Sequence, residues 1–187
     1  MDKERNKRKQ YELNWCKTEA IKNGARGRVD KAVGAVKELG FSMKSVLIVG
    51  AHHGYEAERY REHGVKDILC LDIADGFIKD CKEMGFKGVV TAIEDWEPKR
   101  KFDGVHVSHT LEHTFDQSKA VEVIKKAAKS WCFVEVPITP SGKGTAVDLS
   151  VITHKDVIKK LFSPWKKKKL KDKNRSFTAV FYPEAKW

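Results

Sequence analysis

Ser45 to Gly64 reads SVLIVGAHHGYEAERYREHG: an apolar, β-branched run, a turn bracketed by Gly50 and Gly54, then a polar helical stretch. A buried strand, a tight bend and a helix stopped by Gly64 form the opening unit of a parallel sheet wrapped by helices. Gly50 allows the bend, and Gly54 lets backbone and helix come close to a ligand. Between them stand Ala51, His52 and His53. A dinucleotide turn needs G-x-G-x-x-G, and its second and third glycine positions are His52 and Tyr55 here. A pyrophosphate has little room against those side chains, which disfavours a nicotinamide enzyme.

Downstream the same rhythm continues. DILCLDI, GVVTAI, FDGVHVSH and WCFVEVP read as further strands, and GFIKDCKEMG and SKAVEVIKKAAKS as the helices between them. EDWEPKRK is too short and polar for a crossover helix. ITPSGKGTAVDLS is a loop of the kind that touches ligands, and THKDVIKKLF a helix with Thr153 at its N-cap. PWKKKKLKDKNRSFTAVFYP reads as strand, polar turn, strand. Lys166 to Lys169 there suit an edge strand, where lysines block edge-to-edge pairing, or a phosphate-binding patch. The expected fold is α/β: a doubly wound, mostly parallel seven-stranded sheet closed by a C-terminal antiparallel β-hairpin. Residues 2–23 and 28–39 read as two added helices separated at NGARG, a cap over residues 1–40 that could cover the open edge of the sheet.

A chain of 187 residues fits one domain, with its core at 45–182. No apolar run approaches the roughly 18 residues that span a bilayer, and no secretory signal opens the chain, so a cytoplasmic protein without membrane contact is expected. The four cysteines are scattered with no C-x-x-C pair, which removes the signature of a zinc ribbon or redox pair. A net charge of +11 favours anionic partners, nucleic acid among them, although a lysine coat equally serves solubility.

Asp72 ends the second strand about 20 residues after the turn, where a carboxylate can accept both ribose hydroxyls and would repel a ribose phosphate. An unphosphorylated nucleoside is implied. With turn, strand-end acid and FDGVHVSHTLEHTFD taken together, residues 45–182 resemble the class I S-adenosylmethionine-dependent methyltransferases. VLIVGAHHG is similar to that family's V-L-D-x-G-x-G-x-G, with Ile48 in place of its Asp and His52 in place of its middle glycine. The third segment is similar to its F-D-x-V-x-x-x-x-x-L-E-H.

The resemblance implies S-adenosylmethionine as cofactor. Gly50, Ala51, His52 and Gly54 would border its methionine part, Asp72 its ribose, Ile73 and Ile93 its adenine, Glu94 the adenine amino group, and Ser108 the sulfonium. For Ile73 and Ile93 core packing is an equal reading. His109 is the expected general base should the acceptor be a hydroxyl, with His113 and His53 behind it. HTLEH also resembles part of the E-x-x-E-H metal site of methyltransferases acting on the terminal ribose of small RNAs, with His154 as a distant fourth ligand. The generic L-E-H segment explains the same residues without a metal, and none is expected. The implied function is methyl transfer to a small or medium-sized acceptor; the alternatives are an RNA-directed methyltransferase using the basic surface and a non-catalytic cofactor-binding protein.

Overall fold

The computed structural model describes residues 19–137, 155–171 and 176–184. Within them α1 (Glu19–Glu38) leads into β1 (Ser45–Val49), α2 (Tyr55–Glu62), β2 (Asp67–Asp72), α3 (Asp75–Glu83) and β3 (Lys87–Val90). β4 (Phe102–Ser108), α4 (Gln117–Ala127), β5 (Ala128–Pro137), α5 (Lys155–Leu161), β6 (Lys166–Lys169) and β7 (Ser176–Tyr182) follow, with 3-10 turns at Ile93–Asp95 and Leu111–His113. The strands form one seven-stranded sheet in the order β3-β2-β1-β4-β5-β7-β6. β1 to β5 pair in parallel, whereas β7 runs antiparallel to both β5 and β6. The expected doubly wound sheet with its antiparallel closing hairpin is what forms.

Sequence order reverses at β1, which pairs with β2 on one side and β4 on the other. The carboxyl ends of strands flanking such a reversal open a crevice that helices cannot fill. One sheet face is covered by α1, α2 and α3 through Val29, Val33, Val36, Ala57, Tyr60 and Ile78 packed on Val46, Ile48 and Phe133. The other is covered by α4 and α5 through Val121, Ile124, Ile158 and Phe162 packed on Val105, Val107 and Val134.

The break expected at NGARG is absent: α1 runs unbroken from Glu19 to Glu38 through Gly24 and Gly27. Each helical glycine costs about 1 kcal/mol relative to alanine. Burying Val29, Val33 and Val36 returns about 1.5 kcal/mol or more apiece, which decides the outcome. α1 also lies on a face of the sheet and not over its edge, tied to α2 by a two-pronged Arg26–Glu62 pair at 2.7 Å. Two further boundaries differ. β3 ends at Val90, three residues before Ile93, and α4 stops at Ala127 because Ala128 already pairs with Phe102 in β5.

β6 is the outermost strand at its end of the sheet, so its lysines stand where edge protection requires them. Lys166 pairs with Glu184 and Lys168 with Glu38. Among the described residues, no helix is long and apolar enough to cross a membrane. The segments 2–18, the loop 138–150, Thr153, His154 and the hairpin turn 172–175 lie outside the described residues.

Candidate functional site

A cavity of about 670 Å3 opens at the carboxyl ends of β1 and β4. Its floor is the turn after β1, one wall comes from the ends of β2 and β3, and the opposite wall comes from the first turns of α1. Gly50 holds the turn at φ 71°. Its amide and that of Ala51 both donate to the Leu71 carbonyl, at 2.8 and 3.1 Å. A Cβ at Gly50 would stand 2.1 Å from Thr110 Oγ1, so the turn closes only without a side chain there.

His52 occupies the middle-glycine position at φ 47°, a left-handed backbone that costs a non-glycine residue on the order of 1 kcal/mol. Contacts with Asp72 and Phe77 help to hold it there. Its amide donates to Asp72 Oδ2 at 3.0 Å, while Ala74 N–H donates to Oδ1 at 2.9 Å. Its ring packs on Phe77 with centroids 4.1 Å apart. Burial, helped by neighbouring His53, pulls the imidazole down to about 4, so it is neutral at physiological pH. The ring therefore leans toward α3 and leaves Gly50, Ala51 and Asp72 lining open space. Asp72 and the turn are one unit, since the carboxylate that faces the cavity also fixes the backbone beside it.

His109 is the second left-handed histidine, at φ 48°. Its amide donates to the Glu135 carbonyl at 2.8 Å. Its ring spans two buried carboxylates, with Nδ1 3.5 Å from Glu112 Oε1 and Nε2 3.3 Å from Glu135 Oε1. Burial works against the charge, but Glu112 and Glu135 outweigh it and raise the imidazole to about 9. Glu135, opposed by burial but stabilised by His109, Lys31 and Thr178, falls to about 2.

Residues 47–131 match the family model described as a methyltransferase domain. That match runs from β1 into the start of β5. A Clostridium acetobutylicum S-adenosylmethionine-dependent methyltransferase superimposes with TM-score 0.69 at 9% identity, covering 84% of this chain and 91% of that one. Magnesium protoporphyrin IX methyltransferase from Synechocystis, solved with S-adenosylhomocysteine, gives 0.69 at 12% identity over 95% and 94%. DesVI of Streptomyces venezuelae gives 0.67 at 14% over 85% and 93%. At such identities the likeness establishes the fold, that of the class I methyltransferases. No curated protein matches the chain by sequence.

In this fold the cavity gathers nearly all the residues singled out by sequence. Gly50, Ala51, His52, Asp72, Ile73, Ile93, Glu94, Ser108, His109 and His113 all line it. Gly54 stands outside, capping α2 with Cys81 and Met84 behind it. His53 is also turned away, its Nδ1 2.5 Å from Asp80 Oδ2. Ile93 serves both readings, since it lines the cavity and belongs to the core. Glu94 accepts the Phe115 amide at 2.9 Å.

The expectation of His109 as general base needs revision. An imidazole whose two nitrogens face two carboxylates carries both protons at neutral pH and has no lone pair to offer. Its folded value near 9 exceeds its ordinary 6.5, so the stabilisation is complete below pH 6.5 and is lost as pH rises through 9. With 40% of the side chain exposed, screening reduces the contribution to about 1 kcal/mol. Urea denaturation should show that loss between pH 6.5 and 9 in the wild type, and no such loss in His109→Gln.

Three residues of the site escaped sequence reading. Arg28 of α1 donates from Nε and Nη2 to Glu56 Oε1 at 3.2 and 3.0 Å, and Ser108 Oγ donates to the same oxygen at 2.9 Å. Glu135 is the third; as the one charged residue in the apolar run WCFVEVP, it carried a readable signal. Among the described residues, no group of three or more His, Cys, Asp and Glu side chains is arranged to hold a metal.

Proposed function

We propose that the protein transfers the methyl group of S-adenosylmethionine to a small or medium-sized acceptor held in the same cavity. The observation that carries this reading is the union of turn and strand-end acid. Gly50 and Ala51 form a turn that closes only because Gly50 has no side chain to meet Thr110, and both line the cavity where Asp72 presents a carboxylate that also braces the turn. Asp72 accepts the ribose hydroxyls, Ile73 and Ile93 flank the adenine, and Glu94 receives its amino group. Gly50, Ala51 and His52 border the methionine part, and Ser108 lies at the sulfonium. The cofactor supplies an electrophilic methyl group on positively charged sulfur.

The chain's part in the reaction is to exclude water and align the acceptor, since displacement at a methyl group gains most of its rate from positioning. His109, as an imidazolium ion, ties the end of β4 to Glu112 and Glu135 and keeps the floor of the acceptor half rigid. Should the acceptor be a hydroxyl, the proton passes to His113, which lines the same half.

Thermal denaturation with S-adenosylmethionine at about 100 times its dissociation constant should raise Tm by roughly 5 to 10 °C. No shift at millimolar concentration would remove the proposal. Turnover should also change little between low and moderate salt, whereas an RNA acceptor held by phosphate contacts would lose affinity steeply.

A further inference from the structure

Arg28 and Glu56 form a partly buried ion pair that faces the cavity, and its geometry is incomplete. Arg28 comes from α1 and Glu56 from the first turn of α2, and both line the space beside Gly50 and Ser108. Their side chains are 21% and 5% exposed. Every polar contact to Glu56 falls on Oε1: Arg28 Nε and Nη2, Ser108 Oγ, and His106 Nε2 at 3.9 Å. Among the described residues, Oε2 accepts no hydrogen bond and Arg28 Nη1 donates none. Burial opposes the charge on Glu56, yet Arg28, His106 and Ser108 together hold its carboxyl below the ordinary value.

A buried ion pair rarely adds net stability, because desolvating two charges costs about as much as their attraction returns. One that lines a cavity with a donor and an acceptor left over has a different use: it complements a ligand group that itself carries one positive and one negative charge. An α-amino acid is such a group. β1 supplies no carboxylate for it, since Ile48 is packed in the sheet core.

We infer that Arg28 and Glu56 together hold the amino-acid end of the cofactor, Arg28 Nη1 donating to its carboxylate and Glu56 Oε2 accepting from its ammonium. Gly24 belongs to the same device. A Cβ there would lie 3.4 Å from Arg28 Nη1, so the bare helix surface keeps that donor reachable. Glu56, reaching in from α2, supplies the negative charge that position 48 lacks.

The inference rests on the nucleoside reading of the cavity, and two ligands separate the one from the other. S-adenosylhomocysteine carries the amino-acid end, whereas 5′-methylthioadenosine keeps nucleoside and sulfur without it. Calorimetry on the wild type should find the second weaker by about 10- to 100-fold, the worth of one or two charge-assisted hydrogen bonds. Arg28→Met and Glu56→Gln should each weaken S-adenosylhomocysteine toward the level of methylthioadenosine and leave methylthioadenosine itself unchanged. Equal affinity of the wild type for both ligands overturns the inference without any variant. So does a variant that weakens both ligands alike. If neither ligand binds the wild type, the cofactor reading fails and this one falls with it.

Discussion

Asp72→Ala should lose at least about 100-fold in affinity for S-adenosylhomocysteine, because under the proposed function it removes two charge-assisted hydrogen bonds to ribose, each worth about 1.5 to 3 kcal/mol. It does more than that. The Asp72 carboxylate also accepts the amides of His52 and Ala74, and its removal takes that acceptor from a half-buried and a buried donor. Each orphaned amide costs about 1 to 3 kcal/mol, and His52 loses one of the contacts that hold its left-handed backbone. Urea denaturation should therefore show a loss of about 2 to 4 kcal/mol even without ligand. Asn is no rescue, since its amide group can serve only one of the two donors with its oxygen and turns N–H toward the other. Unchanged affinity in Asp72→Ala would detach the ribose from this residue and leave the carboxylate a structural brace.

Gly50→Ala should be comparably severe for stability. The new Cβ would lie 2.1 Å from Thr110 Oγ1, and Thr110 cannot easily yield because that hydroxyl donates to the carbonyls of Val49 and Ser108. Overpacking costs about 1 to 3 kcal/mol, and alanine at φ 71° adds roughly 1 to 2 kcal/mol. The sum predicts a Tm lower by about 5 to 15 °C for a chain of this size, with cofactor affinity lost as the turn opens. Thr110→Ser, which removes the methyl group at 2.9 Å and keeps the hydroxyl at 2.1 Å, should recover only part of the loss. A Gly50→Ala protein with wild-type Tm would mean that the turn is far more plastic than its hydrogen bonds to Leu71 suggest.

The sheet was legible because its information is local. Runs such as SVLIV and FVEV can be nothing but buried strands, and the order of helices between them leaves few topologies. Asp72 and Gly50 were legible for the same reason: a bend and a strand end need particular residue types wherever they occur. α1 was misread because glycines at 24 and 27 look like a break, and the forces that override them come from far along the chain. Val33 and Val36 pack beneath β1 and β5, and Arg26 and Arg28 find partners at Glu62 and Glu56. His109 lines the cavity, but its charge is raised by Glu112, three residues on, together with Glu135, 26 residues on in a neighbouring strand, and the second of these is set only by the fold. Nothing in the spacing of Arg28 or Glu56 marks them as neighbours; only the packing of α1 on α2 does so.

One wall of the cavity is built from Ala20, Ile21, Gly24 and Ala25, ahead of the segment 47–131 that the family model covers. Part of the cavity wall is thereby encoded outside the stretch that the family model recognises, free to drift at a rate of its own. A chimera carrying the leading helix of a relative should therefore alter affinity for ligands of this cavity while the sheet and the turn after β1 keep their stability.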